Sequence, residues 1–178
     1  MPSTTSEFDE AYDDLKRDPP SLSGELLDHP IQLLEPREAV LIPSTASVAE
    51  AVALLNDRRA GCVLVTEAGK LVGIFTDRDI VRRVLPTGRA LADATVGEYM
   101  TKDPEVLTPD DPIAFALNRM SAGDFRHVPL LDDTGKPVGV VSVRDVVSFV
   151  VEHFAGPVQN LPPTPLRRSN DGPPHGAA

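Results

Sequence analysis

An internal duplication constrains this chain more than any other feature. The phrase Gly73-Ile74-Phe75-Thr76-Asp77-Arg78-Asp79 returns as Gly139-Val140-Val141-Ser142-Val143-Arg144-Asp145. Around it, whole segments return in the same order. Val40-Leu41-Ile42-Pro43 matches Glu105-Val106-Leu107-Thr108 at an offset of 65 residues, and Gly69–Ile74 matches Gly135–Val140 at an offset of 66. A repeat of this length is one supersecondary unit that cannot bury its apolar face alone, so the copies must stack on each other. They run over roughly residues 31–85 and 96–154.

Each copy carries three kinds of pattern. Val48, Ala51, Val52 and Leu55, and in the second copy Ile113, Ala116, Leu117 and Met120, fall at i, i+3, i+4, i+7, the stripe of an amphipathic helix. Cys62–Val65 and Val128–Leu131 each begin a pair of short β-rich runs joined by a glycine-containing turn, which predicts a hairpin. Aligning those runs at an offset of 66 implies one extra residue near Gly123-Asp124. The last element is helical in both copies, over 77–85 with Ile80, Val81 and Val84, and over 143–153 with Val146, Val147 and Val150. Each copy therefore reads β-α-β-β-α, with 91–96 as the linker. A three-stranded sheet with two helices on one face leaves apolar surface uncovered. The expected architecture is α+β, two βαββα repeats packed about a pseudo-twofold axis with clefts where they meet.

Composition narrows the function classes. The net charge of −10 is concentrated in residues 1–29, where eight acids face Lys16 and Arg17. That balance repels phosphate backbones, and 4% aromatic content leaves little for base stacking, so nucleic acid is not the expected partner. No apolar run approaches the roughly 20 residues that span a bilayer. The N-terminus lacks the basic and apolar regions of a secretory signal. One cysteine, Cys62, excludes an internal disulfide framework, and the four histidines show no metal-ligand spacing; a cytoplasmic setting is expected, with no metal. The chain divides into an acidic disordered tail (1–22), a first repeat (23–88), a second repeat (89–155) and a proline-rich disordered tail (156–178).

The duplicated phrase carries the chemistry. A hydroxyl at a strand end, the free amides of a helix start and a carboxylate three residues on suit a nucleoside bearing phosphate. Arg58, Arg59, Arg78, Arg82 and Arg83 gather near the first phrase, and Arg126, His127 and Arg144 near the second. Guanidinium groups favour phosphate, although for Arg82 and Arg83 a solvated helix face is an equal reading.

Together with Tyr99-Met100-Thr101-Lys102-Asp103-Pro104 and Arg126-His127-Val128-Pro129-Leu130, these phrases resemble a tandem CBS-domain pair, or Bateman module, over about residues 30–155. The resemblance implies an α/β-type CBS fold, an adenine nucleotide as ligand, no cofactor, and a regulatory homodimer acting on an unidentified partner protein. It implies Thr76 and Asp79 for one nucleotide site and Ser142 and Asp145 for the other. Arg78, Arg126, His127 and Arg144 are the expected polar partners, and Ile42, Gly61, Cys62, Val128 and Pro129 the strand residues flanking the ligand. The first copy has Gly61-Cys62-Val63 where the second has His127-Val128-Pro129, so its site should lack a polar arm and be weaker or differently selective.

A plainer reading stands beside this one. Ser/Thr-x-x-Asp is a variant of the capping box, so both phrases can be helix caps in a ligand-free structural or dimerisation module. Asp79 and Asp145 occupy equivalent positions of two copies and so make no catalytic pair. Cys62 reads as packing, and no catalytic residue is expected.

Overall fold

The computed structural model describes residues 27–153; the segments 1–22 and 156–178, expected as tails, lie outside them. A 3-10 turn, Ile31–Leu34, leads to β1 (Arg37–Glu38), β2 (Leu41–Pro43), α1 (Val48–Asp57), β3 (Cys62–Glu67) and β4 (Lys70–Thr76). Next comes α2 (Asp77–Asp79), which runs without a break into a π-helical turn, Ile80–Val84, and a 3-10 turn, Leu85–Thr87. Then follow α3 (Val96–Tyr99), β5 (Thr101–Lys102), α4 (Ile113–Gly123), β6 (His127–Leu131), β7 (Pro137–Ser142) and α5 (Val143–His153).

Two sheets form, β2-β3-β4-β5 and β1-β7-β6. Each hairpin belongs to one repeat, but the outer strand comes from the segment ahead of the other repeat. β1 pairs with β7, Arg37 opposite Val140, and β5 pairs with β4, Thr101 opposite Ile74. The exchange extends to the cores. Ile31 and Leu34 pack with Ile113, Met120, Val128 and Val146 of the second repeat, while Ala94 and Val96 pack with Val48, Val63 and Phe75 of the first. Each contact recurs with the halves exchanged, the signature of an internal twofold. β2 has a reduced counterpart, a single parallel bridge from Leu107 to Leu130.

Alternation along β3 explains how the sheets meet. Val63 and Val65 turn to the helices of their own repeat, while Cys62 and Leu64 turn to the other sheet and pack with Ile74 and Val140. Both faces are buried, which is why β3 reads as an unbroken apolar run. Each fully buried Val, Leu or Phe contributes roughly 1.5–3 kcal/mol. The helix stripes land as expected, with Val48, Ala51 and Leu55, and Ile113, Ala116 and Met120, all buried.

The register corrects the expected position of the extra residue. Cys62 pairs with Thr76 and His127 with Ser142, so β3 and β6 correspond at 65 rather than 66. Arg59 and Asp124, also 65 apart, both take left-handed backbone at the ends of their helices, with φ of 48° and 53°. The insertion is therefore in the second hairpin turn and not near Gly123-Asp124: four residues separate Thr66 from Leu71, and five separate Leu131 from Pro137. Asp132 shapes the longer turn, its Oδ1 accepting from the Thr134 amide at 2.9 Å and the Lys136 amide at 3.0 Å. The Thr134 hydroxyl, donating to the same oxygen at 2.6 Å, and then the Lys136 amide hold its carboxyl below the usual range.

Candidate functional site

The duplicated phrase builds the same corner twice. At the end of β4, Asp79 Oδ2 accepts from the Thr76 amide at 2.9 Å and from Thr76 Oγ1 at 2.7 Å. At the end of β7, Asp145 Oδ2 accepts from the Ser142 amide and Ser142 Oγ, both at 2.7 Å. Strand propensity in Gly-Ile-Phe and Gly-Val-Val runs out at the hydroxyl residue, whose extended backbone caps the following helix. The capping function is thus real in both copies, and it uses one oxygen of each carboxylate.

Each corner opens on a cleft between the repeats. The Asp79 cleft encloses about 450 Å³ and is faced across the halves by Asp124, Phe125, Arg126 and His127. The Asp145 cleft encloses about 540 Å³ and is faced by Arg59, Ala60, Gly61 and Cys62, with Arg126 and His127 at the shared wall. The expectation that the first site lacks a polar arm is corrected, because the arms cross. Arg126-His127 borders the Asp79 cleft, and the small Gly61-Cys62 segment borders the Asp145 cleft. With β3 and β6 in register at 65, Gly61 stands opposite Arg126 and Cys62 opposite His127.

Thr76, Arg78, Asp79, Arg126 and His127 are brought together at the first cleft, and Gly61, Cys62, Ser142, Arg144 and Asp145 at the second. Ile42 and Val128 are not among them. Both are strand residues whose side chains take the helix-facing side and fill the cores of their repeats. Pro129, buried in β6, lines neither cleft. The residues that sequence reasoning missed are on the exchanged strands and their neighbours, Arg37 and Val40 in one cleft and Thr101 in the other. The one available signal was positional, since Pro36-Arg37 precedes the first repeat as Met100-Thr101 precedes the second.

Ion pairs stitch the wall between the clefts. Arg78 Nη1 donates to the Asp124 carbonyl at 2.9 Å and is 3.5 Å from its carboxylate, and Arg126 Nη2 is 3.4 Å from Asp77 Oδ1. His127 lies against Gly61, and burial together with the neighbouring Arg126 charge pushes its imidazole pKa down, opposed by Asp77 and Asp145. Burial, with a smaller contribution from Asp77, pushes the Cys62 thiol up to about 12, so it is neither a nucleophile nor a metal thiolate at neutral pH. Among the described residues no group of three or more His, Cys, Asp or Glu could hold a metal ion, and no helix is long and apolar enough to cross a membrane.

The two corners differ after the cap. In α5 the regular spacing places Phe149, four residues after Asp145, in the core. In the first repeat the π turn adds a residue to the cycle, and the Leu85 amide donates to the Ile80 carbonyl five residues back. The core seat passes to Val84, five residues after Asp79. Arg83, the positional counterpart of Phe149, is released to the surface, and its Nε is 3.3 Å from Asp79 Oδ1.

The geometry, two exchanged hairpin units with capped strand-to-helix corners at an internal twofold, matches a known class. The CBS domain family matches residues 35–86 and 96–152, and the chain belongs to it. The mitochondrial CBS domain-containing protein CBSX3 of Arabidopsis thaliana is 32% identical over 120 residues, which cover 65% of this chain and 58% of that protein. A CBS domain protein from Pyrobaculum aerophilum, solved in complex with AMP, superposes with a TM-score of 0.62 at 26% identity, over 69% of this chain and 96% of that one. A CBS domain pair solved with 5′-methylthioadenosine and S-adenosyl-L-methionine superposes at 0.62 and 25% identity, over 68% and 98%. The chain thus spans under two thirds of the Arabidopsis protein.

Proposed function

We propose that this protein is a non-catalytic regulatory module that binds adenine nucleotides of the AMP, ADP or ATP kind in the clefts between its repeats. The carrying observation is the corner itself. A carboxylate held by its own cap at the start of a helix faces a cleft of nucleotide size that arginines line. Asp79 and Asp145 would take the ribose hydroxyls, and Arg78, Arg126 and Arg144 the phosphate. Ligands of the solved relatives, AMP in one and methylthioadenosine in another, support the class of ligand. Signalling runs through a homodimer in the cytoplasm to a partner protein, since ligand at the repeat interface biases how the halves sit.

Calorimetry with AMP, ADP, ATP and S-adenosylmethionine tests this. At least one ligand is expected to bind the wild type and to lose tenfold or more, about 1.4 kcal/mol, in the Asp79→Ala/Asp145→Ala double variant. Heat from none of the four overturns the proposal. That outcome, with a melting temperature unmoved by every ligand, favours the second reading, a structural dimerisation module. The completed capping boxes at both corners support that reading.

A further inference from the structure

We infer that the two clefts are unequal, and that Arg83 makes them so by occupying the Asp79 carboxylate, which leaves the Asp145 cleft as the one that fills first. This rests on the adenine-nucleotide reading above and deepens it.

A sugar diol binds a carboxylate by donating two hydroxyl hydrogens, so it needs oxygen lone pairs not already committed. At Asp79 both oxygens are engaged. Oδ2 serves the cap, and Oδ1 is in an ion pair with Arg83, whose Nη1 also donates to the Tyr99 carbonyl at 3.0 Å. That second bond anchors the guanidinium to the segment exchanged from ahead of the other repeat, so Arg83 is held from two sides. The Asp79 side chain is only 10% exposed, so an incoming hydroxyl must displace the arginine to reach it. At Asp145 the cap takes Oδ2 in the same way, but Oδ1 has no partner among the described residues. The position that holds Arg83 in the first repeat is Phe149 in the second, and Phe149 is buried in the core.

Two independent observations point the same way. The Asp145 cleft is the larger, about 540 against 450 Å³, and only it is also lined by the small Gly61 and Cys62. Its lining also carries four arginines against three carboxylates, whereas the Asp79 cleft has four of each. A phosphate therefore meets a net positive wall at Asp145 and a neutralised one at Asp79.

Calorimetry with AMP as the probe tests the asymmetry. Wild type is expected to bind one AMP per chain in its tight phase. Asp145→Ala removes that phase. Arg83→Gln frees Asp79 Oδ1 without adding bulk, and because the freed lone pairs outweigh the charge lost from the wall, the Asp79 cleft should gain about tenfold and appear as a second AMP per chain. The gain should vanish in Arg83→Gln/Asp79→Ala. Arg83→Ala repeats the measurement should the glutamine itself bond Asp79, and the melting temperature of each variant reports folding. A stoichiometry of one with unchanged affinity in folded Arg83→Gln and Arg83→Ala, or two equal sites in wild type, overturns the role of Arg83 while leaving nucleotide binding intact. No AMP uptake by wild type or any variant overturns the nucleotide reading itself.

Discussion

The helices that follow β4 and β7 start from one phrase and end in two different relations to the core. From Val143 the backbone runs as regular α-helix for eleven residues, and Val146 and Phe149 close the second core. After Asp79 the helix widens into a π turn, Val84 takes the core seat, and Arg83 stands over the carboxylate. One residue of helical register converts a buried position into a guard at a cleft. Duplication supplied two equal corners, and the difference between them arises from the turn after the cap and not from the cap. Wide turns of this kind recur at functional sites because they re-aim a single side chain while leaving the flanking helix in place.

The largest measurable consequence of that difference is in stability. Phe149→Ala should cost about 3–5 kcal/mol, since the ring is 7% exposed and its loss leaves a cavity among Val146, Ile113 and Leu34. Arg83→Ala, the positional equivalent, should cost under about 1 kcal/mol, because the guanidinium is about half exposed and its ion pair is screened. Urea denaturation of both variants gives the ratio. Equal costs would mean that the two helices play the same part.

A second, smaller test addresses the wall between the clefts. A Cβ on Gly61 would be 2.6 Å from Nε2 and 2.9 Å from Cε1 of His127, so the ring must leave its seat. Gly61→Ala should destabilise by about 1–3 kcal/mol. In a His127→Ala background the same change should be nearly neutral, a coupling that a double-mutant cycle reads directly. At Gly139, a Cβ meets the Arg37 carbonyl at 3.1 Å and nothing else within 3.7 Å, so Gly139→Ala should cost less.

Much of this was legible from residues alone, and the failures have a common cause. The duplication, the two helix stripes and the capped corners are written in periodicity and in residue type, and each survives in the structure. The partition of strand residues between core and cleft is not. Val128 is in a strand buried on both faces, where alternation says that neighbours point oppositely but not which side faces the cleft, and Ile42 is in a three-residue strand between exposed Leu41 and Pro43, too short to show which side its one buried residue takes. The exchange of β1 and β5 between repeats left no periodic trace, only a positional one, because a two-residue strand has no period to read. Ile80-Val81-Arg82-Arg83-Val84 carries nothing that marks a π turn, since Ile80 and Val84 are also four apart, the spacing of an ordinary helix face. The extra residue was assigned to the wrong loop because apolar runs match nearly as well when slid by one. Only cross-strand pairing fixes the register.

The smallest effect concerns the histidine on the shared wall. Burial, with the Arg126 charge beside it, resists a proton on His127. Its folded-state pKa is therefore below the 6.5 of a free imidazole, while in the unfolded chain it returns there. The unfolded state then binds more protons in the window between the two values. Stability contributed by the neutral ring is full above pH 6.5 and is lost as pH falls through the folded pKa. The slope cannot exceed one proton, about 1.4 kcal/mol per pH unit, and carboxylates that titrate near pH 4 fall mostly below the window. Denaturation midpoints for wild type should fall between pH 7.5 and 5.5, and His127→Gln, which gains no proton, should flatten the curve. The Cys62 wall opposite offers no such response, because its thiol stays protonated throughout this range. The pH dependence should therefore track the second repeat's arm alone, and an unchanged slope in His127→Gln would place its origin elsewhere in the fold.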